Sequence, residues 1–155
     1  MKIIHPFVRT EEKVKMIAEK MKNNFLYCPD EVRTDAGSKI FMDFLFGGKF
    51  VNEHYEIGDF GGLVSAVDII DGDRCIGGMK LWDKSLWGKG LIREVREVMD
   101  DIMTRHNLKR IDLTTPDPKM AKLAILCGMR FDKIKKGSFL FDGKAHDSFL
   151  MSKEK

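Results

Sequence analysis

Ser85-Leu86-Trp87-Gly88-Lys89-Gly90-Leu91-Ile92 separates a strand-like stretch, Arg74 to Trp82, from a strongly amphipathic segment that follows Gly90. Two glycines at a strand-to-helix turn let backbone N–H groups crowd around an anion, and the helix that follows adds the positive end of its dipole. The arrangement suits a pyrophosphate. In the helix, Leu91, Val95, Val98 and Ile102 form one stripe, widened by Ile92, Met99 and Met103. Arg93, Glu94, Arg96, Glu97, Asp100, Asp101 and Arg105 are expected to cover the other side, with Arg93–Glu97 and Asp101–Arg105 as i,i+4 pairs.

Upstream, residues 2–8 read as a short strand. Thr10 can cap a helix carrying Val14, Ile17, Ala18 and Met21, which Asn23 and Asn24 end. A polar linker, Cys28 to Gly37, leads to a second helix with Ile40, Phe41, Phe44 and Leu45, stopped by Gly47-Gly48. Phe50 to Ile57, Gly61 to Ile70 and Arg74 to Trp82 read as strands. Asp71-Gly72 is a hairpin turn, and Gly77-Gly78 marks a bulge or a close backbone approach. Downstream, Ile111 to Thr115 reads as a strand ended by Pro116. Asp117 and Pro118 open a helix with Met120, Leu123, Ala124 and Cys127 inward, and Gly128 closes it. Phe131 to Met151 reads as strands, with a turn at Asp142-Gly143.

The order is therefore strand, two helices, three strands, helix, strand, helix, two strands. The central strand–helix–strand unit implies a parallel pair, and the flanking hairpins imply a mixed sheet with helices on its faces.

A chain of 155 residues is expected to form a single domain with a sizeable core. Its net charge of +3 is too small to point to nucleic acid, and Lys133, Lys135 and Lys136 read as a solvated loop. No apolar run reaches membrane-spanning length, and the N-terminus lacks a signal-peptide pattern, so a cytoplasmic protein is expected. Cys28, Cys75 and Cys127 read as free thiols. His5, His54, His106 and His146 are scattered, so no metal site is expected.

The glycine turn fits neither common phosphate fingerprint. A Walker loop needs Gly at position 83 and Ser or Thr at 90, where Asp83 and Gly90 stand. A dinucleotide fingerprint from Gly88 needs Gly at 93, where Arg93 stands. The stretch Trp87-Gly88-Lys89-Gly90-Leu91-Ile92, followed by Arg93-Glu94-Val95, instead resembles the acetyl-CoA loop of the GCN5-related N-acetyltransferase (GNAT) family. It is most similar to the branch that acetylates ribosomal-protein N-termini and to its small-molecule relatives. Asp117 to Met129, followed by Arg130-Phe131, resembles the family's next helix and strand entry. The resemblance in element order runs from residue 2 to 151, with the sharp motifs between residues 80 and 131.

The resemblance implies an α/β fold, a centrally splayed mixed sheet of six to seven strands with about four helices. It implies an acyl-CoA-dependent N-acetyltransferase with acetyl-CoA as co-substrate and an amine acceptor: a protein N-terminus, a lysine or a small molecule. Main-chain groups of Lys80, Leu81 and Trp82 would pair with pantetheine, and N–H groups from Trp87 through Gly88, Lys89, Gly90 and Leu91 to Ile92 would hold the pyrophosphate. A donor near Leu81 or Trp82 would stabilise the oxyanion. Ile92 stands where a small residue is usual, and Asp117 where Asn often sits. The family's frequent Tyr acid maps to Ala124, with Cys127 one turn later as a substitute. Glu53, Glu56 and Asp68 are the candidates for a general base. A second reading is a catalytically degenerate member with a structural or interaction role, for example in a phage particle. Neither membrane nor nucleic acid is expected as a partner, and homodimerisation is left open.

Overall fold

The computed structural model of the chain describes residues 2–23 and 28–155. Its elements follow the expected order: β1 (Ile4–Pro6), α1 (Glu11–Lys22), α2 (Asp35–Phe46), β2 (Glu53–Ile57), β3 (Gly62–Ile70) and β4 (Arg74–Leu81). Then come α3 (Lys89–Arg105), β5 (Arg110–Thr115), α4 (Pro118–Leu126), β6 (Arg130–Phe141) and β7 (Lys144–Glu154). Short 3₁₀ turns at Asp30–Arg33 and Lys84–Leu86 precede α2 and α3. The seven strands form one sheet in the order β1-β2-β3-β4-β5-β7-β6. Every neighbouring pair is antiparallel except β4–β5, the pair that the strand–helix–strand unit connects.

Alternation along β3 builds two apolar layers. Val64 and Ala66 join Cys75, Leu81, Leu91, Val95, Ile102 and Leu123 under α3 and α4. Leu63 and Val67 turn the other way, against Ile17 and Met21 of α1 and Met42, Leu45 and Phe46 of α2. Side chains fix where helices begin. Thr10 accepts the Lys13 N–H, Thr34 the Gly37 N–H and Asp117 the Lys119 N–H, at 2.9–3.1 Å. Of the four α-helices described, only α3 starts without a side-chain cap. Asn23 is the C-cap of α1; Asn24 lies outside the described residues. The Asp142-Gly143 turn has φ of 52° and 70°, the two-residue geometry whose twist suits a hairpin.

Several expectations are corrected. The second helix begins at Asp35, because Thr34 caps it. Its buried face is Ser38, Met42, Leu45 and Phe46, while Ile40 is 71% exposed. β2 starts at Glu53 rather than Phe50. The bulge lies on β3, between Val67 and Ile70 where Asp68 has φ 51°; at Gly77 it is the close approach that holds, since a Cβ there would lie 3.1 Å from Ile111 Cγ2 and 3.7 Å from the Asp112 carbonyl oxygen. Lys133, Lys135 and Lys136 stand on the exposed edge strand β6, not in a loop, where lysines discourage edge-to-edge pairing. Glu94 is not on the outer face of α3. It is 5% exposed, and its carboxylate accepts the N–H of Ile3 (2.7 and 3.0 Å) and of Ile4 (3.0 Å). This carboxylate ties β1 to the first turns of α3.

Candidate functional site

The central sheet parts at a defined place. β4 and β5 pair only at Arg74↔Arg110, Cys75↔Ile111 and Ile76↔Asp112. Beyond Ile76, β4 stays with β3 as far as Leu81↔Gly62, and beyond Asp112, β5 stays with β7 as far as Thr115↔Phe149. Two main-chain edges therefore face each other across a gap that no strand fills. The Trp82 N–H donates to the Gly61 carbonyl at 3.0 Å. Since hydrogen-bonded pairs alternate along an antiparallel ladder, Lys80 and Trp82 turn their main-chain groups to β3, and Met79 and Leu81 turn theirs to the gap. Of the three residues expected to offer main-chain groups there, Leu81 does; Lys80 and Trp82 do not, and Met79 takes their place. The Trp82 ring is a packing group, edge-on to Phe60 at 5.1 Å with its indole N–H on the Phe60 carbonyl.

Beyond Leu81 the chain passes through the Lys84–Leu86 turn to the glycine bend, where Gly90 lies beside Ile3. The Trp87 N–H donates to the Lys84 carbonyl (3.3 Å) and the Ile92 N–H to the Gly88 carbonyl (3.2 Å), so these two of the expected donors are committed inside the chain. The N–H groups of Gly88, Lys89, Gly90 and Leu91 have no acceptor among the described residues. They are the orphan donors of a 17-residue helix. A Cβ on Gly88 would meet no atom within 4 Å, so the space beside these donors is open. Lys89, Arg93 and Arg96 follow along one flank of α3 around a shallow depression. The expected Arg93–Glu97 pair does not form, and none of the three cations has an ion pair among the described residues; Asp101–Arg105 does form (2.8 Å). Four free amides with Lys89, Arg93 and Arg96, set against Glu97 and Asp100 of the same depression, leave this corner suited to an anion.

Beneath the gap is a small, largely apolar cavity of about 80 Å³, lined by residues including Gly77, Met79, Leu113, Met120, Ala124 and Cys127. Burial pushes the Cys127 thiol up to about 11, against the smaller opposing pull of Arg96 and Lys153. It is thus a weaker acid than an ordinary thiol near about 8.5, which disfavours it as the proton donor to a leaving thiolate. Ala124 brings no hydroxyl.

Of the three carboxylates singled out as bases, Glu53 and Glu56 are held in ion pairs on β2, and Asp68 lines a depression with Ile76, Asp112 and Thr114 beside the last β4–β5 pair. Glu53 is enclosed by Arg105 and His106 and accepts the Tyr55 hydroxyl at 2.7 Å; His106 also reaches Asp71 at 2.7 Å. Hydrogen bonds from Arg105 first, then from His106 and Tyr55, hold its carboxyl down to about 2 although burial opposes them. It ties β2 to the C-terminus of α3 and to the β3–β4 turn. Glu56 is held by the Lys13 ammonium and accepts the Val8 N–H at 3.4 Å. Asp68 lies on the bulge, near the paired end of β4, with its N–H on Asn52. Glu53→Gln is therefore expected to cost roughly 1–2 kcal/mol of stability while leaving ligand binding at the gap unchanged. With a folded pKa below the unfolded value of 4.5, the Glu53 contribution is complete above about pH 4.5 and is lost as pH falls towards about 2. Thermal melts between pH 7 and 2.5 should show the wild type losing its advantage over the variant across that window.

Ser65 and His54 meet Gly78 and Lys80 on the opposite face of the sheet. Gly78 stands directly across from Ser65, and Ser65 across from His54. His54 Nδ1 lies 2.7 Å from Ser65 Oγ, and its Nε2 lies 2.9 Å from the Leu45 carbonyl. A Cβ on Gly78 would meet nothing within 4 Å, leaving a hollow beside Ser65. Lys80, two residues on and on the same face, has no hydrogen bond or ion pair among the described residues, and desolvation holds its pKa below the ordinary lysine value. The only sequence signal for this hollow was the Gly77-Gly78 pair.

No family model and no curated protein sequence matches the chain. Solved structures do. A spermidine N-acetyltransferase from Vibrio cholerae, in complex with CoA and spermine, superimposes with a TM-score of 0.73 at 16% identity, over 98% of this chain and 95% of that one. The microcin C7 self-immunity acetyltransferase MccE, in complex with acetyl-CoA and AMP, gives 0.71 at 16% identity, over 100% and 94%. A spermidine/spermine N-acetyltransferase from Vibrio cholerae, in complex with manganese ions, gives 0.67 at 17% identity, over 97% and 92%. The chain thus has the GNAT fold, a mixed sheet of seven strands with four α-helices.

Proposed function

We propose that this protein transfers an acetyl group from acetyl-CoA to an amine. The observation that carries the reading is the union of two features: a sheet that parts after Ile76↔Asp112, and an uncapped α3, the next helix after β4, whose amides from Gly88 to Leu91 are free among the described residues. Pantetheine is an amide-bearing chain. Laid along the open edge of β4, it would find the main-chain groups of Met79 and Leu81, much as an added strand would. Its pyrophosphate would reach the α3 amides, with Lys89, Arg93 and Arg96 adding charge. A thioester held in the gap would have the Met79 or Leu81 N–H available for its developing oxyanion.

The acceptor we favour is an amine that carries an anionic group. Lys80 stands on the acceptor face with no ion pair among the described residues, whereas Glu56 and Asp30 are committed, Glu56 to Lys13 and Asp30 to the N–H groups of Asp142 and Gly143. A polycation such as spermine, the ligand of one similar structure, would meet Lys80 unfavourably. Acceptors of the ribosomal-protein kind, a peptide N-terminus, belong to the same panel. The rival reading, a degenerate site, is favoured by Ala124 and by the raised Cys127.

Calorimetry with acetyl-CoA, followed by thiol release across a panel of amino acids, aminoacyl nucleotides, peptides and polyamines, tests the proposal. Micromolar binding with turnover is the expected result. Binding without turnover would leave only the degenerate site, and no binding would leave a structural module.

A further inference from the structure

Resting on the acetyl-transfer reading, we infer that Ser65 and His54 form the proton-accepting pair for the incoming amine. The hydrogen bonds fix the direction of the relay. The Leu45 carbonyl can only accept, so His54 Nε2 carries the proton that reaches it at 2.9 Å. Nδ1 is then the unprotonated nitrogen, and the Ser65 hydroxyl donates to it at 2.7 Å. A lone pair of Ser65 Oγ remains for a third group. Gly78 supplies the room, being the cross-strand neighbour of Ser65 on a strand that borders the gap. Any larger residue at 78 would cover Ser65, since directly opposed side chains are only about 5 Å apart.

His54 is held in place for this task. Its ring lies against Phe46 at 4.7 Å and Phe7 at 6.1 Å. Desolvation by these groups keeps the imidazole neutral near pH 7, with its pKa below the ordinary value. The charged groups on the packed elements are Glu56 of its own strand with Lys13 of α1, Arg9 on the Phe46 carbonyl, and Lys80 of β4.

The amine nitrogen attacks the acetyl carbonyl carbon, forming C–N. One amine proton passes to Ser65 Oγ as the serine hydroxyl proton passes to His54 Nδ1. The C–S bond then breaks, CoA leaves as thiolate, and the imidazolium proton returns through Ser65 to that sulfur. The products are an amide and CoA thiol. Neither Glu53, Glu56 nor Asp68 takes part.

The test uses the full chain, acetyl-CoA and the amine of the panel that the wild type turns over fastest. Ser65→Ala and His54→Phe, which keeps the aromatic packing, should each lower kcat at least 100-fold with acetyl-CoA affinity within twofold of wild type. Ser65→Thr should retain at least a tenth of the rate. The kcat/KM profile of the wild type should fall with acid below the His54 pKa, and that limb should vanish in His54→Phe. Long-range ¹H–¹⁵N spectra should show the Nε2–H tautomer. Variants within threefold of the wild-type kcat, or the Nδ1–H tautomer, would overturn the relay and leave acetyl transfer standing. A wild type that binds acetyl-CoA but acetylates no amine would overturn both.

Discussion

Glu94→Ala should lower stability by about 3 kcal/mol, which corresponds to a Tm lower by roughly 6–12 °C for a chain of this size. The cost comes from what the alanine leaves behind. Glu94 is 5% exposed and receives three contacts from the Ile3 and Ile4 N–H groups, with Ile4 itself 6% exposed. Without the carboxylate, those donors face apolar surroundings with no acceptor, and each such group costs about 1–3 kcal/mol. Glu94→Gln keeps one acceptor oxygen and should recover about half of the loss. The change should also loosen the base of the glycine bend, because a Cβ on Gly90 would sit only 3.2 Å from Ile3 Cδ1. Denaturant titrations of the three proteins measure this directly. Equal midpoints for wild type and Glu94→Ala would show that the buried carboxylate contributes nothing.

The second large effect is on binding. Gly88→Val should weaken CoA at least tenfold, or about 1.4 kcal/mol, while Tm stays within about 4 °C. Gly88 is extended, with φ 160° and ψ 179°, a backbone that other residues adopt, and a Cβ there would meet nothing within 4 Å. The folded chain therefore accepts the larger side chain. The side chain would occupy the space beside the four free amides, where the pyrophosphate would lie in the proposed complex. Gly90→Val is a poorer probe because it presses on Ile3 and mixes stability with binding. Calorimetry on Gly88→Val separates the two. Unchanged affinity in the folded variant would remove the bend from the binding site.

Local rules carried most of the fold. Thr10, Asp117-Pro118, Asp71-Gly72 and Asp142-Gly143 each act within a few residues of chain, and each marks a boundary in the structure where the sequence placed it. The apolar stripe of α3 was legible for the same reason. What failed was non-local. Glu94 reads as a surface residue because a buried carboxylate is recognised only by its partners, two N–H groups 90 residues away in the chain. Glu53 looked like a base until Arg105, His106 and Tyr55 were seen to enclose it. The glycine bend was legible as a strand-to-helix turn, but which of its amides are free depends on the Lys84 and Gly88 carbonyls taking two of them. The parting of β4 from β5 has no local signature. It follows from each strand keeping its other partner. The His54–Ser65 contact was equally hidden, since it depends on the register of two neighbouring strands.

The central claim is that the parted strands and the α3 amides together hold the thiol carrier. A ¹H–¹⁵N correlation titration of the labelled protein with acetyl-CoA reads these groups one by one. The largest downfield shifts should fall on Gly88, Lys89, Gly90 and Leu91, with Met79 and Leu81 next and Trp82 unmoved. Saturable binding that leaves those amides where they were, or no binding at millimolar acetyl-CoA, would contradict it.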